Sequence, residues 1–210
     1  RRNVSAMFVD AIEEHKSLHT VSQIFDYLSA HPDYHRVIHA LGGGLVQDLV
    51  TFAASTFKRG VPWAFYPTTL VAMLDSCIGG KSSINHGSYK NLIGTFHPPE
   101  KIVINVNYLR SLPNLSILEG LMEGVKISAV SGPMHIDSFA ALGSSIDASD
   151  LGILRAKITK TLGLKKAIIE ADEFDTGRRR LLNFGHTFGH ALESATNFGI
   201  GHGVAVGIGM

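Results

Sequence analysis

The sequence predicts an α/β domain over residues 1–113 followed by an all-α domain over residues 114–210. Three observations carry this expectation. Short apolar runs at 36–41, 61–66 and 101–106 alternate with helical periodicity before Pro113. Beyond it, residues 116–130, 134–142, 150–170 and 178–197 all read as helices, with no strand pattern between them. The first apolar run ends on Gly42-Gly43-Gly44 and leads into a helix, which is how an α/β sheet presents backbone N–H groups to a pyrophosphate. The first part therefore reads as a partial Rossmann-like nucleotide-binding domain. The strict GxGxxG spacing is absent, and a glycine turn of this kind also serves as a plain connector.

In chain order, SLHTVSQIFDYLSAH (17–31) places Leu18, Val21, Ile24, Phe25 and Leu28 at helical spacing, ahead of a break at His31-Pro32. The strand at 36–41 and the glycine turn precede a helix over 45–57, with Asp48 in its first turn, where a carboxylate suits the helix dipole or could bond a cofactor. A buried strand at 61–66 ends at Pro67-Thr68-Thr69. Residues 73–99 then carry Gly79-Gly80-Lys81, Asn85 and Lys90-Asn91 with few acids, a composition suited to a phosphate, although loop lysines are commonly just solvated. One more strand is expected at 101–106.

In the second part, Glu123 and Lys126 stand three apart in an otherwise apolar helix. A carboxylate there needs a partner, either Lys126 as an ordinary helix ion pair or a metal. The final stretch, LLNFGHTFGHALESATNFGIGHGVAVGIGM (181–210), holds His186, His190 and His202 among glycines and small apolar residues. His186 and His190, one helical turn apart, have the spacing of a two-histidine metal grip, though pairs at this spacing also occur as ordinary surface or core residues. With a third histidine in reach, a carboxylate joining two imidazoles would make an open catalytic metal site.

Composition bounds the rest. The 210 residues are 45% hydrophobic and 18% charged, which argues against disorder. A net charge of +1 gives no bulk electrostatic case for nucleic acid or an acidic membrane, and no run reaches membrane-spanning length. The single cysteine, Cys77, excludes an internal disulfide framework and fits a reducing, cytoplasmic setting. The chain starts without Met or an apolar signal core, and Met210 falls inside a helix-like run, so truncation at both ends is expected.

Eight segments together resemble the 3-dehydroquinate synthases of the sugar-phosphate cyclase family. They are EEHKSL (13–18), GGGLVQD (42–48), RGVPWAFYPTTL (59–70), DSCIGGKSSIN (75–85), KNLIGTFHPP (90–99), GLMEGVK (120–126), DEFDTGRRRLLNFGHTFGHALE (172–193) and HGVAVGIGM (202–210). They stand in family order over nearly the whole chain. The resemblance implies a divalent metal, zinc foremost and cobalt as an alternative, on Glu123, His186 and His202. It moves His190 from the metal to the substrate phosphate.

NAD is implied at Glu13 and Lys16, at Gly44, Leu45, Val46, Gln47 and Asp48, and at Thr68, Thr69, Asp75 and Lys90. The segment Tyr108, Leu109, Arg110 and Ser111 completes that set. The phosphate and carboxylate of a sugar-acid phosphate are implied at Lys81, Asn91, Lys126, Lys165, Arg179, Asn183 and His190, with Lys81, Lys126, Arg179, Asn183 and His190 as the catalytic group. Arg59 is implied to reach a neighbouring subunit's site, hence a homodimer. The implied reaction converts 3-deoxy-D-arabino-heptulosonate 7-phosphate to 3-dehydroquinate, a shikimate-pathway step. It runs by transient oxidation, phosphate elimination, re-reduction and aldol closure.

The chain departs from the family pattern at Ala11-Ile12, at Gln47 in the glycine turn, at Gly124 beside the metal carboxylate and at Val204 after His202. These leave open another cyclase, a metal-dependent polyol dehydrogenase and a non-catalytic homologue.

Overall fold

The computed structural model describes residues 5–31, 37–87, 89–142, 150–196 and 199–210. Two compact units result: Arg1–Tyr66 with Gly80–Val103, and Pro67–Gly79 with Ile104–Met210. Compactness thus follows a different line from the change of element class at Pro113.

The first unit is the α/β one. Helix α1 (Leu18–Ala30) starts at Ser17, whose hydroxyl accepts the Thr20 N–H at 3.4 Å, and it buries Val21, Ile24 and Leu28. Strand β1 (Ile38–Gly42) runs through the glycine turn into α2 (Gly44–Thr56). Strand β2 (Trp63–Pro67) is followed by the hairpin of β3 (Ile84–His86) and β4 (Tyr89–Ile93), and β5 (Lys101–Ile102) comes last. The sheet order is β1-β2-β5, with β5 parallel to β2, while β3 and β4 pair antiparallel. Val21, Ile24, Leu28, Leu49, Ala53 and Ile84 form the core.

The second unit is helical among its described residues. A π-helical turn (Ala72–Ser76) and a 3-10 segment (Val106–Ser111) precede α3 (Asn114–Ser131), α4 (Pro133–Ala140) and α5 (Leu151–Ala171). A second 3-10 segment (Arg178–Asn183) leads to α6 (His186–Ala195) and α7 (His202–Gly209). Leu70, Met73, Leu74, Leu109, Ile117, Leu121, Phe139, Leu154 and Ile158 make its main core.

The predicted class and order of elements are observed, with four differences. The single helix expected over 178–197 is split, because Gly185 sits at φ +79°, a left-handed conformation that ends the 3-10 segment before α6 begins. The strand expected at 101–106 stops at Ile102, and the chain turns into the 3-10 segment. The β3–β4 hairpin falls where a glycine-rich loop was expected, since its alternation is too short and polar to read as strands. Asp48 lies beyond the first turn of α2, because that helix begins at Gly44. The break at Pro32, Arg36 and Asn197 lie outside the described residues.

Gly124 has a packing reason. A Cβ built there would stand 2.6 Å from the Phe139 ring, so the glycine lets α4 close on α3. Gly124→Ala is therefore expected to lower thermal stability, although alanine gains about 1 kcal/mol in helix propensity. A raised melting temperature would contradict this.

Candidate active site

The second unit gathers the metal-type residues by bringing three helices together at glycines. A Cβ on Gly203 would lie 2.3 Å from the Glu119 carbonyl oxygen, so only glycine permits α7 to start against α3. That close approach sets His202, the first residue of α7, beside Glu123 of α3: Nε2 lies 3.6 Å from Glu123 Oε1. Gly185 in turn makes His186 the first residue of α6, and its ring centroid is 5.2 Å from that of His202. One ligand atom from each of Glu123, His186 and His202 lies within 4.8 Å of the others.

The donor set suits a divalent cation. Glu123 is 1% exposed, and neither of its carboxylate oxygens completes a hydrogen bond within the protein. Its charge is met by an ion pair from Lys126 to Oε2, which leaves Oε1 towards His202. His186 Nδ1 lies 3.2 Å from the Phe184 carbonyl oxygen; donating its proton there leaves Nε2 with a lone pair. Burial first, and then the nearby Lys126 charge, push the His186 pKa down, so the ring is kept in the neutral form that a metal requires. Metal bonds of about 2.0–2.1 Å put tetrahedral ligand atoms roughly 3.3 Å apart, close to the 3.6 Å between His202 and Glu123. The residues fit the ion.

His186 and His190 do not form the grip their spacing suggested. Their rings meet edge-on at 5.3 Å, but His190 belongs to a second trio with Glu193 and His202. Glu193 was not singled out from the sequence, yet it lies at i+7 from His186 and i+3 from His190. That spacing puts all three on one helix face, and reading the period one step further would have found it.

Beside the trio runs a chain of alternating charge. Asp75 Oδ1 lies 2.8 Å from Lys165 Nζ, and Asp75 Oδ2 lies 3.9 Å from Lys126 Nζ. Burial opposes the Asp75 charge, but Lys165 and then Lys126 outweigh it and hold the carboxyl well below its ordinary value. Lys126 is likewise raised: burial works against its charge, and Asp75 followed by Glu123 overcomes that. Lys165 also donates to the backbone carbonyls of Asp75 and Ile78. Burial pushes the neighbouring Cys77 thiol up to about 12, which makes it unreactive.

Arg179 is buried, donating to the carbonyls of Gly79 (3.0 Å) and Glu173. Its loop is held by Asp172, whose carboxylate accepts the N–H groups of Thr176 (2.9 Å), Gly177 (2.7 Å) and Arg179 (2.9 Å). These bonds, that of Arg179 foremost, hold the Asp172 carboxyl at about 2. A depressed carboxyl stabilises the fold above its ordinary pKa of about 4 and loses that contribution as pH falls through its folded value. Asp172→Asn is therefore expected to be less stable than the parent at pH 7, with the gap closing towards pH 2. A gap unchanged at pH 2 would contradict this.

Of the other expected positions of the second unit, Asn183 is exposed, His190 is half exposed beside His202, and Thr69 Oγ1 accepts the Ala72 N–H at 3.2 Å beside Thr68. Tyr108, Arg110 and Ser111 are exposed, whereas the Leu109 side chain is part of the core and leaves only backbone to offer a ligand.

The first unit holds its own group around the β3–β4 hairpin. Lys16 Nζ lies 2.6 Å from Asp48 Oδ2 and donates to Asn91 Oδ1 at 2.6 Å. Asp48 accepts the Ser83 N–H (2.9 Å) and hydroxyl (3.1 Å). Burial raises its pKa, against the pull of Lys16. Glu13 accepts from Asn85 Nδ2 at 2.8 Å and pairs with Lys90 at 3.6 Å. Asn91 thus keeps company with Lys16, a residue expected at the cofactor, and with Ser83. Gly44, Leu45 and Val46 open α2 half-buried, and Gln47 is buried within the unit. Lys81 bridges to Phe96 with Nζ 6.0 Å from that ring centroid, and Arg59 is exposed in a left-handed conformation at φ 68°.

Comparison with known proteins bears on both units. Residues 6–119 match the 3-dehydroquinate synthase N-terminal family, and residues 120–210 match the 3-dehydroquinate synthase C-terminal family. A 3-dehydroquinate synthase from Dehalococcoides mccartyi is 38% identical across the whole chain, which spans 59% of that relative's length. Among solved structures, a 2-epi-5-epi-valiolone synthase from Streptomyces hygroscopicus, with NAD+ and Zn2+ bound, superposes with a TM-score of 0.87. It is 29% identical over 96% of this chain and 57% of its own. A 2-deoxy-scyllo-inosose synthase complexed with carbaglucose-6-phosphate, NAD+ and Co2+ gives 0.88 at 30% identity, over 95% of this chain and 56% of its own. With both halves matched in order and the metal-type trio assembled, the chain belongs to the 3-dehydroquinate synthase family.

Proposed function

We propose that the protein of which this chain is part is a 3-dehydroquinate synthase, a phosphate-eliminating carbon–oxygen lyase of aromatic amino acid biosynthesis. The observation that carries the reading is the convergence of Glu123, His186 and His202 beside the Lys126–Asp75–Lys165 chain. NAD and a divalent ion, zinc first, are the cofactors. Relatives with those groups bound support that choice. Residues 1–113 form the nucleotide-binding part and residues 114–210 the metal- and substrate-binding part. A cytoplasmic homodimer completed by Arg59 belongs to the same reading.

Held by Glu123, His186 and His202, an ion would supply Lewis acidity towards a substrate hydroxyl, and bound NAD would supply a reversible hydride acceptor. The chain's own residues do the rest. Lys126 holds one Glu123 oxygen, so that the other faces His202. Asp75 keeps Lys126 charged in a buried place and pairs with Lys165 at 2.8 Å, which sets two cations where a phosphorylated, carboxylated substrate needs them. His190, half exposed and next to the trio, is the donor this reading assigns to a phosphate oxygen. Asn183, Arg179, Lys81 and Asn91 complete the substrate set, and Glu13, Lys16, Gly44–Asp48, Thr68, Thr69, Asp75, Lys90 and Tyr108–Ser111 the NAD set.

The test is a substrate comparison on the full chain with NAD and zinc. The reading expects phosphate release from the seven-carbon sugar-acid phosphate at the highest kcat/KM. A preference for a neutral sugar phosphate would move the protein to another cyclase of the family.

A further inference from the structure

We propose that Glu193 is a positioning residue for the metal centre, fixing the tautomer of His202; this rests on the metal reading above. His202 stands between two carboxylates. Its Nδ1 lies 3.4 Å from Glu193 Oε2, and its Nε2 lies 3.6 Å from Glu123 Oε1. A neutral imidazole carries one proton. On Nε2, that proton would leave the Nδ1 lone pair facing the Glu193 carboxylate. On Nδ1, it is donated to Glu193, and the Nε2 lone pair points to the place shared with Glu123 and His186. Glu193 therefore selects the form of His202 that can bind a cation.

The side chain has the setting for this work. Glu193 is 7% exposed on α6, and a carboxylate so buried needs a hydrogen-bond partner. His202, with 41% of its side chain exposed on the first residue of α7, meets Glu193 on its Nδ1 side. The neighbouring His190 is a poorer partner for Glu193, its Nε2 being 4.0 Å from the same oxygen. The other imidazole of the trio is fixed in the same sense, but by a backbone acceptor, the Phe184 carbonyl. Val204, two residues beyond His202, offers no carboxylate. Glu193 is thus a side-chain acceptor for His202 Nδ1 that mutation can remove.

The experiment measures zinc affinity of the full chain by competition with a chromophoric chelator. Parent, Glu193→Ala, Glu193→Gln, His202→Ala, His186→Ala and the Glu193→Ala/His202→Ala double variant are compared. Loss of an outer-shell carboxylate is expected to weaken zinc roughly 10–100-fold in Glu193→Ala. Glu193→Gln should lose less, since its amide oxygen still accepts the Nδ1 proton, and it carries the comparison if Glu193→Ala folds poorly. With His202→Ala in place, removing Glu193 should cost nothing more. The visible ligand-field spectrum of the cobalt-loaded protein should change in Glu193→Ala at saturating metal. Unchanged affinity in both Glu193 variants, with binding still lost in His186→Ala, overturns the positioning role alone. An equal loss on the His202→Ala background overturns it too. Parent-like affinity in His186→Ala overturns the metal reading and this inference with it.

Discussion

Replacing Glu123 with glutamine is expected to abolish binding of the proposed divalent ion while leaving the protein folded. The side chain is buried on α3, and glutamine keeps its volume, so the packing around α7 has no cavity to absorb. What is lost is the anionic oxygen that faces His202 Nε2 at 3.6 Å. Outer-shell partners alone are worth about 10–100-fold in metal affinity, so removal of an anionic ligand should exceed about 100-fold. Lys126 stays compensated by Asp75 at 3.9 Å, which is why the fold should survive. Metal content after dialysis, read with a circular-dichroism melt, checks both halves of the expectation. Stoichiometric zinc retained by Glu123→Gln would contradict it.

Asp75→Ala is expected to have the largest effect on stability. One carboxylate serves two lysines there, Lys165 at 2.8 Å and Lys126 at 3.9 Å, both nearly excluded from solvent. Removing one partner of a buried pair leaves an uncompensated charge at a cost of about 3–5 kcal/mol. Lys126 keeps Glu123 and Lys165 keeps two backbone carbonyls, so the lower end of that range applies. Because the Asp75 carboxyl is held below its ordinary value, its contribution is present at neutral pH and lost as pH falls through that lowered value. Denaturant unfolding of parent and variant at pH 7 measures the difference. A difference under about 1 kcal/mol would mean that the lysines find other partners.

Much of this was legible in the sequence because its signals are local. Helical periodicity gave α1, α3, α4 and α5 within a few residues, and the glycine turn gave the β1–α2 junction. The split between Asn183 and His186 was not, since a helical pattern runs straight through Gly185 and only its backbone angle breaks it. The proposed metal trio draws on residues 63 positions apart on α3 and α6, a pairing that no local period encodes. It was reached through resemblance, whereas spacing alone favoured His190. Glu193 shows the opposite case: its position on the face of His186 and His190 was there to be read. The closeness of α7 to α3 depends on a glycine whose meaning appears only once the Glu119 carbonyl is seen against it.

Inorganic phosphate release from 3-deoxy-D-arabino-heptulosonate 7-phosphate by the full chain with NAD and zinc decides whether the site works as a synthase. NADH absorbance is followed throughout, and His186→Ala is run in parallel. Phosphate release without net NADH, abolished in the variant, is expected. A folded, metal-loaded parent that releases no phosphate, or that accumulates NADH, would contradict it.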